Sequence, residues 1–148
     1  MITCLLSSEL QCLDIGVAAL SEVRRLHIDE IMASGCTYNW SGCSYGYHTQ
    51  AVVVAVAMSN KLTHMIIEVT PVIECIMRLR IPHSLGVISL VSLYALTEER
   101  DPTVKEAFYA THKSVVDQCP RRDTLLVLRD FNASTGTVRD GYETCEPE

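Results

Sequence analysis

Three features of the sequence predict a mixed α/β fold. Apolar runs of strand length recur along the chain, and one segment has the caps and the apolar period of a helix. Polar residues directly follow several of the apolar runs, which is where open α/β sheets place their functional side chains. With 148 residues, the chain has the usual size of one domain and can bury a single core.

Residues 5–58 are predicted to hold a helix and two or three strands. Leu5 to Leu13 has loose helical spacing and leads into a short apolar strand at Ile15–Leu20. Residues 35–50 are rich in Gly, Ser, Tyr and Cys, which predicts a loop with one short strand at Thr37–Trp40. The smooth apolar run Ala51–Met58 is then expected to be a buried strand.

Three further strands are predicted in quick succession after the turn-prone segment 59–61. They are Met65–Thr70, Ile73–Leu79 and Gly86–Tyr94, with breaks expected at Pro71 and Pro82. Because the connections between them are short, we expect these strands to pair antiparallel.

The best-signalled helix begins near Asp101-Pro102-Thr103. Asp101 or Thr103 can cap it, Pro102 suits its first turn, and Thr103 with Glu106 matches a capping box. Its apolar positions repeat at helical spacing, and Pro120 is expected to stop it. The strand Thr124–Leu128 follows, and its near-continuous apolar character predicts cover on both faces. The apolar face of the helix is predicted to comprise Val104, Ala107, Phe108, Val115 and Cys119.

Composition limits the classes of partner. The formal net charge of −6 makes the whole molecule repel a phosphate backbone, so nucleic acid is not the partner that composition favours. The seven cysteines form no C-x-x-C pair, and most of them are expected to be reduced thiols. The N-terminus does not resemble a secretory signal, and no apolar run is long enough to span a bilayer. These features predict an intracellular protein of the nucleus or cytoplasm.

Four polar residues at predicted strand exits form the candidate site. Asp130 and Asn132 alternate around Phe131 after one strand, Glu22 follows another by two residues, and Tyr94 ends a third. A carboxylate can orient water, an amide can meet charge on phosphoryl oxygens, and a second carboxylate suits Mg²⁺. Each residue also has a simpler interpretation: a turn for Asp130 and Asn132, a solvent-facing carboxylate for Glu22, and a packing ring for Tyr94.

Three segments resemble the endonuclease/exonuclease/phosphatase superfamily, a class of metal-dependent hydrolases. Asp14–Glu22 is similar to its strand with a metal-binding glutamate, Ser92–Thr97 to its Tyr-Ala-Pro-Thr segment, and Leu128–Ala133 to its Gly-Asp-Phe-Asn-Ala loop. Within this class, Gly35–Gly42 and the tail Ser134–Cys145 resemble the endonuclease domain of non-LTR retrotransposons and their domesticated relatives of the craniofacial development protein 2 type.

The resemblance implies a two-sheet α/β sandwich of the deoxyribonuclease I type, a DNA partner and a Mg²⁺ or Mn²⁺ cofactor. It implies that Glu22 holds the metal, Tyr94 contacts phosphate, Asp130 orients the attacking water and Asn132 binds the scissile phosphate. It also implies that residues 1–148 form a single partial domain, truncated at both ends. The family's first strand, with its Asn, and its late strands, with an Asp-His pair, are not matched.

Two positions within the motifs differ from the family pattern: Arg129 stands where Gly is usual, and Leu96 where Pro is usual. An arginine beside Asp130 is expected to pair with the carboxylate and compete with a metal. The expected function is therefore a truncated retroelement endonuclease with little or no activity. Two alternatives stay open: an active Mg²⁺-dependent nuclease or phosphoesterase completed by a partner, and a non-enzymatic α/β interaction module. Unpaired strand edges of a partial domain also predict a protein partner or self-association.

Overall fold

The computed structural model describes residues 2–23, 25, 27–42, 54–96 and 100–130. Within these residues, strands outnumber helices and most strands are joined by short turns. In chain order the elements are α1 (Ile2–Cys12), β1 (Val17–Leu20), β2 (Ile28–Ala33), β3 (Cys36–Ser41), β4 (Val54–Ser59), α2 (Asn60–Thr63), β5 (Glu68–Ile73), β6 (Ile76–His83), β7 (Gly86–Tyr94), α3 (Pro102–Asp117) and β8 (Thr124–Asp130).

The strands form two four-stranded sheets. The first has the order β1-β4-β3-β2 and is antiparallel throughout, and the second has the order β5-β6-β7-β8. In the second sheet β5, β6 and β7 pair antiparallel, whereas β8 pairs parallel to β7 after the crossover through α3. The predicted two-sheet α/β sandwich is confirmed, and so is the antiparallel pairing of the three closely spaced strands.

The core fills the space between the sheets and beneath α3. Val56 of β4, Ile76 and Met77 of β6 and Val91 of β7 are fully buried within one cluster that also contains Phe108 of α3. These strands are central or next to central in their sheets, so their apolar side chains meet partners on both faces. Burial of this cluster holds the two sheets against each other.

The hairpin of β2 and β3 was missed in part by the sequence prediction. Only Thr37–Trp40 was expected to be a strand, but β2 precedes it and pairs with it along six residues. The connecting residues Ser34 and Gly35 have φ values of +47° and +81°, as a two-residue turn of type I′ requires. The prediction missed β2 because its side chains are mostly exposed, so they do not alternate between apolar and polar.

The predicted breaks at Pro71 and Pro82 are wrong. Pro71 lies within β5 and Pro82 within β6, and the turns fall at residues 74–75 and 84–85. A sheet tolerates Pro on an edge strand or at a bulge, and β5 is an edge strand with a bulge between Pro71 and Ile73. Pro82 lies beyond the last residue of β6 that pairs with β5.

Helix α3 is confirmed, although its apolar face is narrower than predicted. The Asp101 side chain caps it by accepting a hydrogen bond from the Thr103 backbone N–H at 2.8 Å. Phe108 and Val115 are buried, whereas Val104 is exposed. In the described part of the chain, no helix combines the length and apolar character needed to cross a membrane.

Strand β8 is more exposed than its sequence predicted. Its residues Leu125–Leu128 are 36–41% exposed, because β8 lies at the edge of its sheet and pairs within the described residues only with β7. Its start is fixed by Asp123, whose Oδ2 accepts hydrogen bonds at 2.8 Å from Arg80 Nε and from Ser89 Oγ. The Arg80 guanidinium holds the pKa of Asp123 below its ordinary value. Buried charge pairing of this kind anchors the crossover to β6 and β7.

Candidate active site

Tyr94 and Asp130 lie side by side at one edge of the second sheet. Tyr94 is the last residue of β7, Asp130 is the last of β8, and the two are direct partners in the parallel register. The Ala95 backbone N–H donates to the Asp130 carbonyl at 2.9 Å, so the pairing continues past the end of β7. Because paired residues of neighbouring strands point to the same face, both side chains point towards the same side of the sheet.

Glu22 reaches the same place from the other sheet. It follows β1 by two residues, and its Oε1 accepts a hydrogen bond from the Tyr94 hydroxyl at 3.1 Å. The two residues are 72 positions apart in sequence. Tyr94 is 5% exposed, which is typical of a ring that packs in the core while its hydroxyl finds a polar partner. The sandwich therefore brings together two of the predicted site residues by direct contact.

The backbone at Glu22 is strained. Its φ is +55°, in the left-handed region that residues with a side chain rarely adopt. Holding a residue there costs roughly 1–3 kcal/mol, and strain of this kind is concentrated at functional sites. The conformation places an exposed carboxylate against a buried tyrosine. Glu22 is thus oriented by its backbone and by Tyr94, unlike a freely moving surface glutamate.

Asp130 is an exposed residue at the mouth of this site. Its register position puts it on the face of the second sheet that Tyr94 occupies. Phe131 and Asn132, the other members of the predicted loop, lie outside the described residues. The structure therefore brings Glu22, Tyr94 and Asp130 to one end of the sandwich.

Arg129 points to the face opposite Asp130, because side chains alternate along a strand. It lies beside His112 of α3, whose pKa is lowered below its ordinary value by burial and, to a smaller extent, by the charge of Arg129. The pairing of Arg129 with Asp130 that the sequence predicted remains a prediction.

His112 was not assigned a role from sequence because the histidines show no ligand spacing. The structure places it on the cleft described below, with its Nε2 buried and without a hydrogen-bond partner in the described chain. A signal was present in the sequence: His112 lies four residues after Phe108 and three before Val115, so all three share one helix face. A histidine on the buried face of a helix is a candidate that helical spacing can identify.

A cleft of about 910 Å³ opens between the edges of the two sheets. Residues 17–21 form one wall, and residues 127–130 form the other, with Ile15, Ser92, Leu93 and His112 completing the lining. Most of the lining is apolar, and its polar members are Ser21, Ser92, His112, Arg129 and Asp130. A cleft of this size with convergent polar groups is the usual form of a small-molecule or substrate site.

The donor chemistry suits a hard cation that keeps much of its water. Mg²⁺ is typically held by one or two carboxylates, with waters completing an octahedron. Asp130 supplies a carboxylate to the lining of the cleft, and Glu22, which directly follows the lining residue Ser21, supplies a second carboxylate from the other sheet. No group of three or more His, Cys, Asp or Glu side chains is close enough to hold a metal within the described ranges.

Comparisons of the sequence with known proteins return no family: no protein-family model matches this chain, and no curated protein matches it. Its function must therefore be inferred from the residues themselves and from their geometry.

Proposed function

We propose that this chain is an endonuclease-like module of retroelement origin that retains part of a metal-dependent phosphodiesterase site and has little or no hydrolytic activity. The observation that carries the proposal is the hydrogen bond from the Tyr94 hydroxyl to the Glu22 carboxylate at 3.1 Å. It joins two residues that were selected from sequence as site members at separate strand exits. Asp130, the third, is the register partner of Tyr94.

Each side chain has a chemical task in this proposal. Glu22 supplies the carboxylate that holds Mg²⁺ or Mn²⁺, and Tyr94 orients that carboxylate. Asp130 orients water for attack on a phosphodiester of DNA, and Asn132 binds the phosphate. The metal, when bound, would polarise the phosphoryl oxygens and lower the pKa of bound water.

Low activity follows from two features near Asp130. Arg129 adds a positive charge next to the carboxylate in sequence, and it stands where the similar loops have Gly, so it disfavours a nearby cation. The second feature concerns histidine. Among the described residues, His112 is the histidine that lines the cleft, and it belongs to helix α3 and not to a strand exit. Loss of a general base typically lowers the rate by about 10²–10⁴.

Metal binding and hydrolysis are tested separately. Broadening of backbone NMR signals by Mn²⁺ should be strongest around Glu22 and should disappear in Glu22→Gln. The matched control, Glu30→Gln, changes an exposed carboxylate on β2 and should leave the broadening unchanged. Absence of Mn²⁺ broadening near Glu22 would refute the proposed site.

For hydrolysis, the purified chain with Mg²⁺ or Mn²⁺ should nick supercoiled plasmid DNA no faster than Asp130→Ala does. Metal-dependent nicking that is lost in Asp130→Ala would show an active nuclease, and the proposal of low activity would be wrong.

A non-enzymatic interaction module is the second candidate function. The exposed apolar strand β8 favours it, because soluble domains seldom leave several consecutive apolar residues open to solvent without a partner. Specific Mn²⁺ binding at Glu22 distinguishes the two candidates, since an interaction module needs no cation there.

A further inference from the structure

A second cavity, of about 490 Å³, lies between helix α3 and the second sheet. Residues 70–72 of β5 and Arg78 of β6 line it on the sheet side, and residues of α3 line it on the other side. It shares no lining residue with the cleft that contains Asp130. The cavity is therefore separate from the proposed metal site.

Arg78 is the charged residue of this lining, and its guanidinium has a donor to spare. The Arg78 side chain is only 14% exposed, and its Nη2 donates to Glu68 Oε1 at 2.6 Å. Its Nε is buried and has no hydrogen-bond partner among the residues that the structure describes. Buried N–H groups of proteins almost always have an acceptor, because an unpaired one is costly. An acceptor held in the cavity would meet this need.

Helix α3 contributes further polar groups to the cavity. Thr111, Ser114 and Gln118 all line it, and their helical spacing places them on one face of α3. The Ser114 Oγ accepts a hydrogen bond from Gln118 Nε2 at 3.1 Å, so the hydroxyl hydrogen of Ser114 is left to donate. Together with Arg78, the helix therefore offers donors to an acceptor-rich group.

The charges around Arg78 favour a ligand with one negative charge. The Arg78 guanidinium stays protonated at any pH at which the chain is folded. Glu68, its ion-pair partner, does not line the cavity, and its side chain is 37% exposed, so water screens its charge more than that of Arg78. The charge of Arg78 is thus only partly neutralised, which suits a single negative charge better than two.

We propose that this cavity binds a small organic acid, with its carboxylate at Arg78 and its hydrocarbon part against the apolar lining. Pro71 and Val72 of β5 and Val115 of α3 supply that apolar surface. Guanidinium groups bind carboxylates through charge-assisted hydrogen bonds. Small-molecule sites usually combine apolar walls with a few polar groups that orient the ligand.

Butyrate is the probe, because it has one carboxylate and a short hydrocarbon chain. Titrated into the full chain, it should shift the backbone NMR signals of residues 70–72, 78 and 110–118, with a dissociation constant on the order of 1 mM. Butyramide, which has the same shape but no charge, should bind about tenfold more weakly. Absence of these shifts would overturn the proposal, and so would equal binding of butyramide. Inorganic phosphate that binds as tightly as butyrate would also overturn it, since the apolar wall would then have no part in recognition.

Two pairs of variants locate the site. Arg78→Lys keeps the positive charge but loses the Nε donor, and it should weaken butyrate binding about tenfold. Arg80→Lys, two residues further along the same face of β6, is the matched control and should bind as the parent chain does, because Arg80 does not line the cavity. Ser114→Leu fills the cavity without changing Arg78 and should abolish binding, whereas Ser8→Leu at an exposed position of α1 should not.

Urea unfolding of each variant shows whether it is folded under the conditions of the titration. A folded Ser114→Leu variant that binds butyrate as tightly as the parent chain would overturn the assignment of the cavity. Equal binding by Arg78→Lys and Arg80→Lys would overturn the role of Arg78.

Discussion

Removal of the Tyr94 hydroxyl tests whether the contact between the sheets orients Glu22. Tyr94→Phe keeps the ring in the core, where it is 5% exposed, and deletes the donor to Glu22 Oε1. A hydrogen bond to a charged group is worth about 1.5–3 kcal/mol net. The Glu22 side chain is exposed and regains water when the donor is lost. We therefore expect Tyr94→Phe to lower the free energy of unfolding by an amount at the lower end of this range.

A double-mutant cycle separates this hydrogen bond from the backbone strain. Glu22→Gly relieves the cost of φ +55° but adds chain entropy to the unfolded state. Without the hydrogen bond to Tyr94, these two effects together should raise the free energy of unfolding by about 0.5 kcal/mol. In the parent chain the same change also loses the hydrogen bond, so it should destabilise by about 1 kcal/mol. In the Tyr94→Phe background it should stabilise instead.

The assay is urea unfolding followed by the fluorescence of Trp40, the single tryptophan of the chain, which is 6% exposed. Tyr109→Phe is the control, because Tyr109 is 49% exposed and no effect is expected. A coupling energy near zero between positions 22 and 94 would refute the reasoning, since it would mean that the contact does not hold the carboxylate.

Three further predictions concern stability. The folded pKa of His112 is below 6.5, so the folded state disfavours its protonation and stability should fall as pH drops below 6.5. His112→Gln should remove this pH dependence, which is measured by urea unfolding at several pH values. The folded pKa of Asp123 is below 3.8, mainly because Arg80 donates a hydrogen bond to it. The stability that Asp123 contributes is therefore present above pH 3.8 and is lost as pH falls through the folded pKa. Asp123→Asn should destabilise the chain at neutral pH and reduce the loss of stability at acid pH in the same urea-unfolding measurements. Met77→Ala should cost about 2–5 kcal/mol in calorimetry, since Met77 is 0% exposed in the core, and a smaller cost would mean that the sheets close over the cavity.

Local signals were sufficient for α3 and β7. The cap at Asp101 with Pro102 after it predicted the start of α3, and the apolar run Gly86–Tyr94 predicted β7 with the bounds it has. The same signals failed where tertiary position outweighs local preference. Pro71 looked like a break, but it fits an edge strand, and nothing local marks which strand lies at an edge.

The candidate site was predictable as a set of strand exits but not as a geometry. The sequence predicted that Tyr94 and Asp130 each lie at a strand exit; that the two strands are parallel neighbours, so that these residues lie side by side, is seen only in the structure. The contact between Tyr94 and Glu22 could not be read from sequence, since it joins different sheets across 72 positions. The left-handed backbone at Glu22 has no local signal either, as glutamate has no preference for that conformation.

Because Glu22 follows a strand of one sheet and Asp130 ends a strand of the other, the packing between the sheets sets the separation of the two carboxylates. Close-packed interiors transmit small shifts with little loss, so a change in a side chain such as Met58 of β4 would move the wall that carries Glu22 relative to the wall that carries Asp130. The Tyr94 hydroxyl links Glu22 to β7, the neighbour of β8, and the Asp123 anchor fixes the start of β8. Cation affinity at this site should therefore depend on the core as much as on the carboxylates, which is the behaviour expected of a site built between two layers and not on one loop.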